Sequence, residues 1–290
     1  MKLPTSSTTS ALTNAGDSQT FQISANGTAF KILSSGLYSN KIAAVIRELS
    51  CNAVDAHPAA GFSNEPIEVH LPHPGSLFFK VKDHGNGMSH EQVMALYTTY
   101  FSSDKRASNA FIGGLGLGSK SPFAYTDSFT VTSVHQGVKR VYICMMDEQG
   151  MPTVSLLQQV ATKEHAGVEV QLQVQPKDVD SFRLSAAAIY HMFGVKPKTN
   201  VDISEAMSKH PLGDVRFAAT GYKLFSEQWS AQSVYVRMGN VLYPVDHNYI
   251  EKNSLGAALT KMFYMELLAP VGMLQVAASR EALQYDPDTV

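Results

Sequence analysis

Apolar residues at Ile42, Val45, Ile46, Leu49, Ala53 and Ala56 recur at helical spacing and predict a helix over 38–57. Ser39 can cap it, and Pro58 with Gly61 ends it. Two short apolar or alternating runs follow, IEVHL at 67–71 and LFFKVKD at 77–83, and predict strands on which that helix packs. A short helix over 89–97 comes next. Residues 98–118 show no period and are rich in Ser, Asn, Asp and Gly, so they read as a long loop of the kind that is usually functional. Beyond it lie a short helical stretch at 119–125 and four strand-like runs, SFTVTSVH, RVYICMMD, TVSLLQQV and GVEVQLQV. A helix-rich opening followed by strand after strand predicts an α+β sandwich with helices on one face of a mixed or antiparallel sheet.

Pro176 marks the predicted seam between two domains, 21–176 and 177–290, with a Ser/Thr-rich arm over 1–20. The second part is expected to carry a helix over 179–193, strands near 221–226, 233–238 and 241–245, a helical 254–267 and a strand over 271–277.

Composition narrows the class. With 44% hydrophobic residues the 290-residue chain can build a core, which excludes wholesale disorder. No stretch approaches the roughly 18 apolar residues of a membrane helix. Lys plus Arg (23) nearly balances Asp plus Glu (25), so blanket phosphate attraction is not the operating principle and direct nucleic-acid binding has no support. Cys51 and Cys144 are too few for a disulfide framework or a four-cysteine zinc site, and a reduced, intracellular protein is the simplest reading. The ten histidines form no HExxH pair.

Three motifs carry candidate chemistry. On the predicted helix, Glu48, Asn52 and Asp55 stand at i, i+4 and i+7, within roughly 60° of one another. A carboxylate at the edge of a core can act as a general base, and an amide oxygen can ligate a hard cation. Taken alone, the stripe reads first as an ordinary polar helix face. Next comes Asp83-His84-Gly85-Asn86-Gly87-Met88 at a strand end, where glycines let backbone approach a flat ligand and the Asp can accept from an amino group. A plain turn has the same composition. The third motif, Gly113-Gly114-Leu115-Gly116-Leu117-Gly118-Ser119-Lys120, closes the long loop and opens a helix, as an anion site would. Ser119 breaks the Gly-Lys-Ser order of a Walker A loop.

In this order the three motifs resemble the GHKL ATPase superfamily of gyrase B, Hsp90, histidine kinases and MutL. The resemblance implies a Bergerat-type α/β sandwich followed by a transducer-like α/β domain. FKILSSGLYSNKI (30–42), FIGGLGLGSKSPFAYTDSF (111–129) and ASREAL (278–283) further resemble the bacteriophage rIIA rapid-lysis proteins. By that resemblance Glu48 activates water against the γ-phosphate of ATP, and Asn52 ligates Mg2+ with Asp55 beside it. Asp83 binds the adenine amino group, while Gly85, Gly87 and Met88 line the base pocket. The run from Gly113 to Ser119, with Gly114, Leu115, Gly116, Leu117 and Gly118, wraps the triphosphate as part of a lid over about 98–118, to which Lys105 belongs.

Ser279-Arg280-Glu281 is similar to the Ser-Arg-Glu segment of the Hsp90 middle domain, where the arginine reaches the γ-phosphate. Arg280 reads equally as a structural ion-pair partner. The family's usual Gly-Thr on a late strand is Gly167-Val168 here, which removes a hydroxyl from the base pocket. The expected partners are nucleotide, a second copy joined through the amino-terminal region and a host-cell protein, in the host cytoplasm with peripheral association at the inner membrane through partners. A nucleotide-gated module whose turnover is incidental remains the alternative. A histidine kinase is disfavoured, since no helix with a phospho-acceptor histidine precedes the Glu48 helix. The chain stops shortly after Arg280 without a closing helix, so a fragment or a short relative is expected.

Overall fold

A computed structural model describes residues 26–32, 36–99, 117–208, 215–225, 234–250, 264–277 and 279–285. The chain begins with a short helix, α1 (Gly27–Lys31), and a long one, α2 (Lys41–Ala56). Strands β1 (Glu68–His70) and β2 (Phe78–Lys82) and helix α3 (His90–Thr98) follow. After a 3-10 helix over Gly118–Ala124 come β3 (Ser128–His135), β4 (Val138–Met146), β5 (Pro152–Ala161) and β6 (Gly167–Gln173). Next are α4 (Val179–Tyr190), β7 (Lys198–Thr199) and α5 (Ser204–Ser208). The last described part holds β8 (Val215–Ala219), β9 (Tyr222–Phe225), β10 (Val234–Met238), β11 (Val241–Pro244), α6 (His247–Ile250) and β12 (Tyr264–Ala269).

The first sheet has the order β5-β4-β3-β6-β2-β1-β7 and is antiparallel except where β7 runs parallel to β1. Its strands alternate as half-buried strands should: Phe79 and Val81 of β2 and Phe129 and Val131 of β3 point into the core. Helices α2 and α4 cover that face and pack on each other. Since α4 and β7 belong to this layer, it continues past Pro176, where the seam was expected. A second sheet, β11-β10-β12-β9-β8, follows, with β10 and β12 parallel. One hydrophobic cluster runs from Val45, Ile46 and Leu49 of α2 through Phe182 and Tyr190 of α4 to Val236, Met238 and Tyr243 of the second sheet.

Several local expectations are corrected. Asn40, not Ser39, caps α2, its side chain accepting from the Ala43 N–H. Ser39 is drawn elsewhere by a distant carboxylate. The expected helix over 254–267 gives way at its described end to strand β12, because the YMELLA run pairs between β10 and β9. The expected strand over 271–277 is a turn, with a single bridge from Val276 to Leu283. The arm over 1–20 and residues 100–116 of the expected lid lie outside the described residues.

Candidate active site

Helix α2 turns Glu48 inward rather than along the edge of the core: the residue is only 1% exposed. One turn on, Asn52 lines a cavity of about 260 Å3, with Leu49, Ala53 and Ala56 beside it. Val81, Val168 and Val170 of the sheet form the opposite wall. Met88, Leu96 and Tyr97 add further apolar surface, and Asp83, Asn86, Gly118, Ser119 and Arg280 supply polar groups. Apolar walls with a few convergent polar groups are the composition of a small-molecule site.

The loop after β2 is tightly fixed. Asp83 Oδ1 accepts from the backbone N–H groups of Gly85 (2.8 Å) and Val168 (3.1 Å), and the Asp83 N–H donates to the Val168 carbonyl at 2.9 Å. The His84 N–H donates to Nε2 of buried His57 at 3.0 Å, so that ring carries its proton on Nδ1, toward the Glu65 carbonyl at 3.1 Å. The Met88 N–H and carbonyl both bond the hydroxyl of Ser133 (2.8 and 2.9 Å). Gly87 has φ +67° and its α-carbon faces the Val134 carbonyl so closely that a side chain could not be accommodated.

Gly118 opens the 3-10 helix directly against Glu48. A β-carbon there would collide with Glu48 Oε2 and stand 3.4 Å from Asn52 Nδ2. The hydroxyls of Ser119 and Ser121 are buried without a hydrogen-bond partner among the described residues. Lys120, 1% exposed, donates from Nζ to the Thr99 carbonyl at 2.8 Å, and burial pulls its ammonium down to about 8. It thereby ties the end of α3 to the start of the 3-10 helix, the two flanks of the 100–116 segment.

Arg280 reaches the site from the far end of the chain. Its Nη1 lies 2.9 Å from Glu48 Oε2, and the two side chains are 6% and 2% exposed. Neither atom meets hydrogen-bond geometry with any described partner, so the pair is held by charge rather than by an aligned bond. Burial would lower the guanidinium, but the charge of Glu48, followed by Cys51, Tyr243 and Asp55, keeps it above the usual arginine value. Burial also pushes the thiol of Cys51 up to about 12, which keeps it a neutral core group.

The structure therefore brings together Glu48, Asn52, Asp83, Gly87, Met88, Gly118, Ser119 and Arg280, with Gly85 bonded to Asp83. Asp55 does not line the cavity, and Leu117 is buried outside its lining. Lys105, Gly113, Gly114, Leu115 and Gly116 lie outside the described residues. Sequence reading placed Val168 at the base pocket but passed over Val81 and Val170 beside it, where only strand alternation pointed inward. It also passed over the connections of Arg47 and Lys120, for which no local signal exists.

Residues 38–174 match the family model described as histidine kinase-, DNA gyrase B-, and HSP90-like ATPase. The matched segment, just under half of the chain, is similar to GHKL-type ATPase domains. The chaperone protein HtpG of Rickettsia massiliae (strain Mtu5) is 29% identical over 184 residues, covering 54% of this chain and 29% of the chaperone. HtpG of Rickettsia bellii (strain RML369-C) is 29% identical over 179 residues, with 54% and 28% covered. The match thus spans less than a third of each chaperone's length. The crystal structure of the ATPase region of Saccharomyces cerevisiae topoisomerase II superposes on 85% of this chain and 78% of that one, with a TM-score of 0.59 at 11% identity, which is a shared fold. Among the described residues no helix is long and apolar enough to cross a membrane.

Proposed function

We propose that the GHKL-type domain binds ATP in the α2–sheet cavity and hydrolyses it slowly. The observation that carries this reading is the buried carboxylate of Glu48, just behind the cavity lining, one helical turn from Asn52 and against Gly118 and Arg280, which line it. Asp83 takes the adenine amino group, its Oδ1 already fixed by two backbone N–H groups, while Gly87 and Met88 flank the base. The orphaned Ser119 hydroxyl and the N–H groups at Gly118 and Ser119 face phosphate oxygens. By the resemblance alone, the glycines at 113, 114 and 116 and Lys105 would serve the same phosphates.

Mg2+ is ordinarily held by one or two protein oxygens together with phosphates and water, and the Asn52 amide oxygen suits that role. When bound, the ion neutralises phosphate charge. Glu48 Oε2 then accepts a proton from the attacking water, and the Arg280 guanidinium offsets charge on the departing phosphoryl group. Both roles require the present Nη1–Oε2 contact to open, so that ATP replaces Glu48 as the partner of Arg280.

In this reading the part from β8 onward acts as a transducer-like domain and the seam falls after β7, because α4 packs on the first sheet and β7 is one of its strands. ATP-driven dimerisation, a host-cytoplasmic location and an rIIA-like role in lysis timing or exclusion, through a partner at the inner membrane, extend it. The test is direct: nucleotide titration and phosphate release, with and without Mg2+. Absence of nucleotide binding overturns the reading.

One observation favours a second reading. Glu48 is already charge-paired, which suits a module whose nucleotide-bound conformation is read by a partner and whose turnover is incidental. Full biological effect with a non-hydrolysable analogue would select it.

A further inference from the structure

Three consecutive residues dock the carboxyl-terminal segment on α2, and the ATP chemistry uses only the middle one. Glu281 Oε2 accepts from the Ser39 N–H at 3.0 Å, and Oε1 accepts from the Asn40 N–H at 3.3 Å. Arg47 Nη2 lies 3.9 Å from Glu281 Oε1 and donates to the Ser279 carbonyl at 3.1 Å. The residues on both sides of Arg280 are therefore tied to α2 independently of Arg280 itself. Arg280 has φ +53°, a conformation that a non-glycine residue keeps only when its surroundings fix it.

The amino terminus of α2 has no acidic residue in its first turn. Its exposed N–H groups and the positive end of its dipole favour a carboxylate, which here comes from Glu281, more than 240 residues away. Glu48 lies about 12 Å further along the same helix, at roughly 1.5 Å per residue. A segment gripped at the helix start and again beside Arg47 can present its arginine at only one height on that rod.

We propose that Glu281 is a positioning residue: by capping α2 from the second domain, it sets the register in which Arg280 meets Glu48 and, during turnover, the γ-phosphate. Its kinetic consequence rests on the ATPase reading; its structural consequence does not. Glu281 does not line the cavity, so its loss displaces the arginine and leaves the other residues of the lining in place.

The test compares full-length wild type with Glu281→Ala, Glu281→Gln, Arg280→Ala and the double variant Arg280→Ala/Glu281→Ala. Glu281→Ala should lower kcat by roughly 10²-fold with KM for ATP within about two-fold. Glu281→Gln, which keeps an acceptor oxygen and the side-chain length, should fall in between and covers the case in which the alanine variant does not fold. The double variant should be no slower than Arg280→Ala, because the two residues act through one contact. Losses that multiply, or a KM rise with kcat spared, overturn the proposal. A second arm is independent of activity. In Glu281→Gln, amide hydrogen exchange at Ser39, Asn40 and 279–283 should speed up together by at least roughly ten-fold, with Gly85 and Val168 unchanged. Unchanged protection at either end of the clamp overturns it too. If wild type shows no turnover, the ATPase reading fails and the exchange arm alone decides the clamp.

Discussion

Among the described residues, two buried glutamates, Glu48 and Glu266, are each paired with an arginine, and the pairs are built differently. In the second sheet, Arg237 grips Glu266 with Nε–Oε2 at 2.9 Å and Nη2–Oε1 at 2.8 Å, and its Nη1 donates to the Met192 carbonyl at 3.0 Å. This fork leaves both carboxylate oxygens bonded and ties the second sheet to the end of α4. Such bidentate pairing is the geometry in which a buried charge pair recovers its desolvation cost. At the cavity, Arg280 and Glu48 share one contact, and its two atoms are outside hydrogen-bond geometry. A pair left short of its best geometry beside a cavity has little to lose by changing partners. The first pair is architecture; the second is poised for exchange.

Substitution should separate them. The largest effect is expected at Glu48→Ala, with hydrolysis reduced by roughly 10²–10⁴ and ATP affinity nearly retained. Phosphate release beside a binding isotherm checks it, and unchanged turnover would remove Glu48 from the role of base. Its stability cost should be the smaller of the two, because Arg280 lines the cavity and can be rehydrated there. Glu266→Ala should do the reverse. It strands the Arg237 fork and should cost about 3–5 kcal/mol in denaturant unfolding, with the nucleotide pocket itself unchanged. Equal stability losses in the two variants would erase the distinction.

What could be read from the sequence follows the same division. Glu48, Asn52 and Asp83 were legible because their spacing is set within one helix or one strand end, where short-range geometry dictates which groups share a face. Arg280 was legible only by resemblance, and its contact with Glu48 and the anchoring of Glu281 on α2 were not, since both arise through tertiary docking. That docking also claims the Ser39 and Asn40 N–H groups, while the side chain of Asn40, one residue on from the expected Ser39, does the capping. In the second sheet, YMELLA is too short for its period to separate a buried strand from a helix, and only its pairing with β10 and β9 decides. Gly118 was legible as a phosphate-loop glycine but not as the residue that makes room for the Glu48 carboxylate.

A buried ammonium sharpens the contrast further. Lys120 donates to the Thr99 carbonyl, and burial lowers it to about 8 from an ordinary value near 10.5. The unfolded chain therefore binds more protons than the folded one between those two values, and stability rises with pH across that window. Below about pH 8 the penalty of charging Lys120 in the fold is fully present. Relative to Lys120→Met, wild type should gain on the order of 2 kcal/mol between pH 7.5 and pH 10. Chemical denaturation of both proteins at the two pH values measures it. A difference that does not change with pH would mean the ammonium is solvated.

The smallest effect is expected where the pocket departs from the family it resembles. Val168 holds Asp83 through its backbone N–H at 3.1 Å and offers only methyl groups to the cavity. The hydroxyl that the resemblance places at this position would hold a water shared between the aspartate and the base. Val168→Thr adds that hydroxyl on the cavity side, where one extra water-mediated bond contributes about 0.5–1 kcal/mol. Discrimination of ATP over GTP should therefore rise by roughly two- to five-fold, with stability changed by less than about 1 kcal/mol. Competition binding with the two nucleotides reads this out. Unaltered selectivity would mean that Asp83, fixed by the Gly85 and Val168 amides alone, already sets base recognition, and that the valine wall replaced the water without loss.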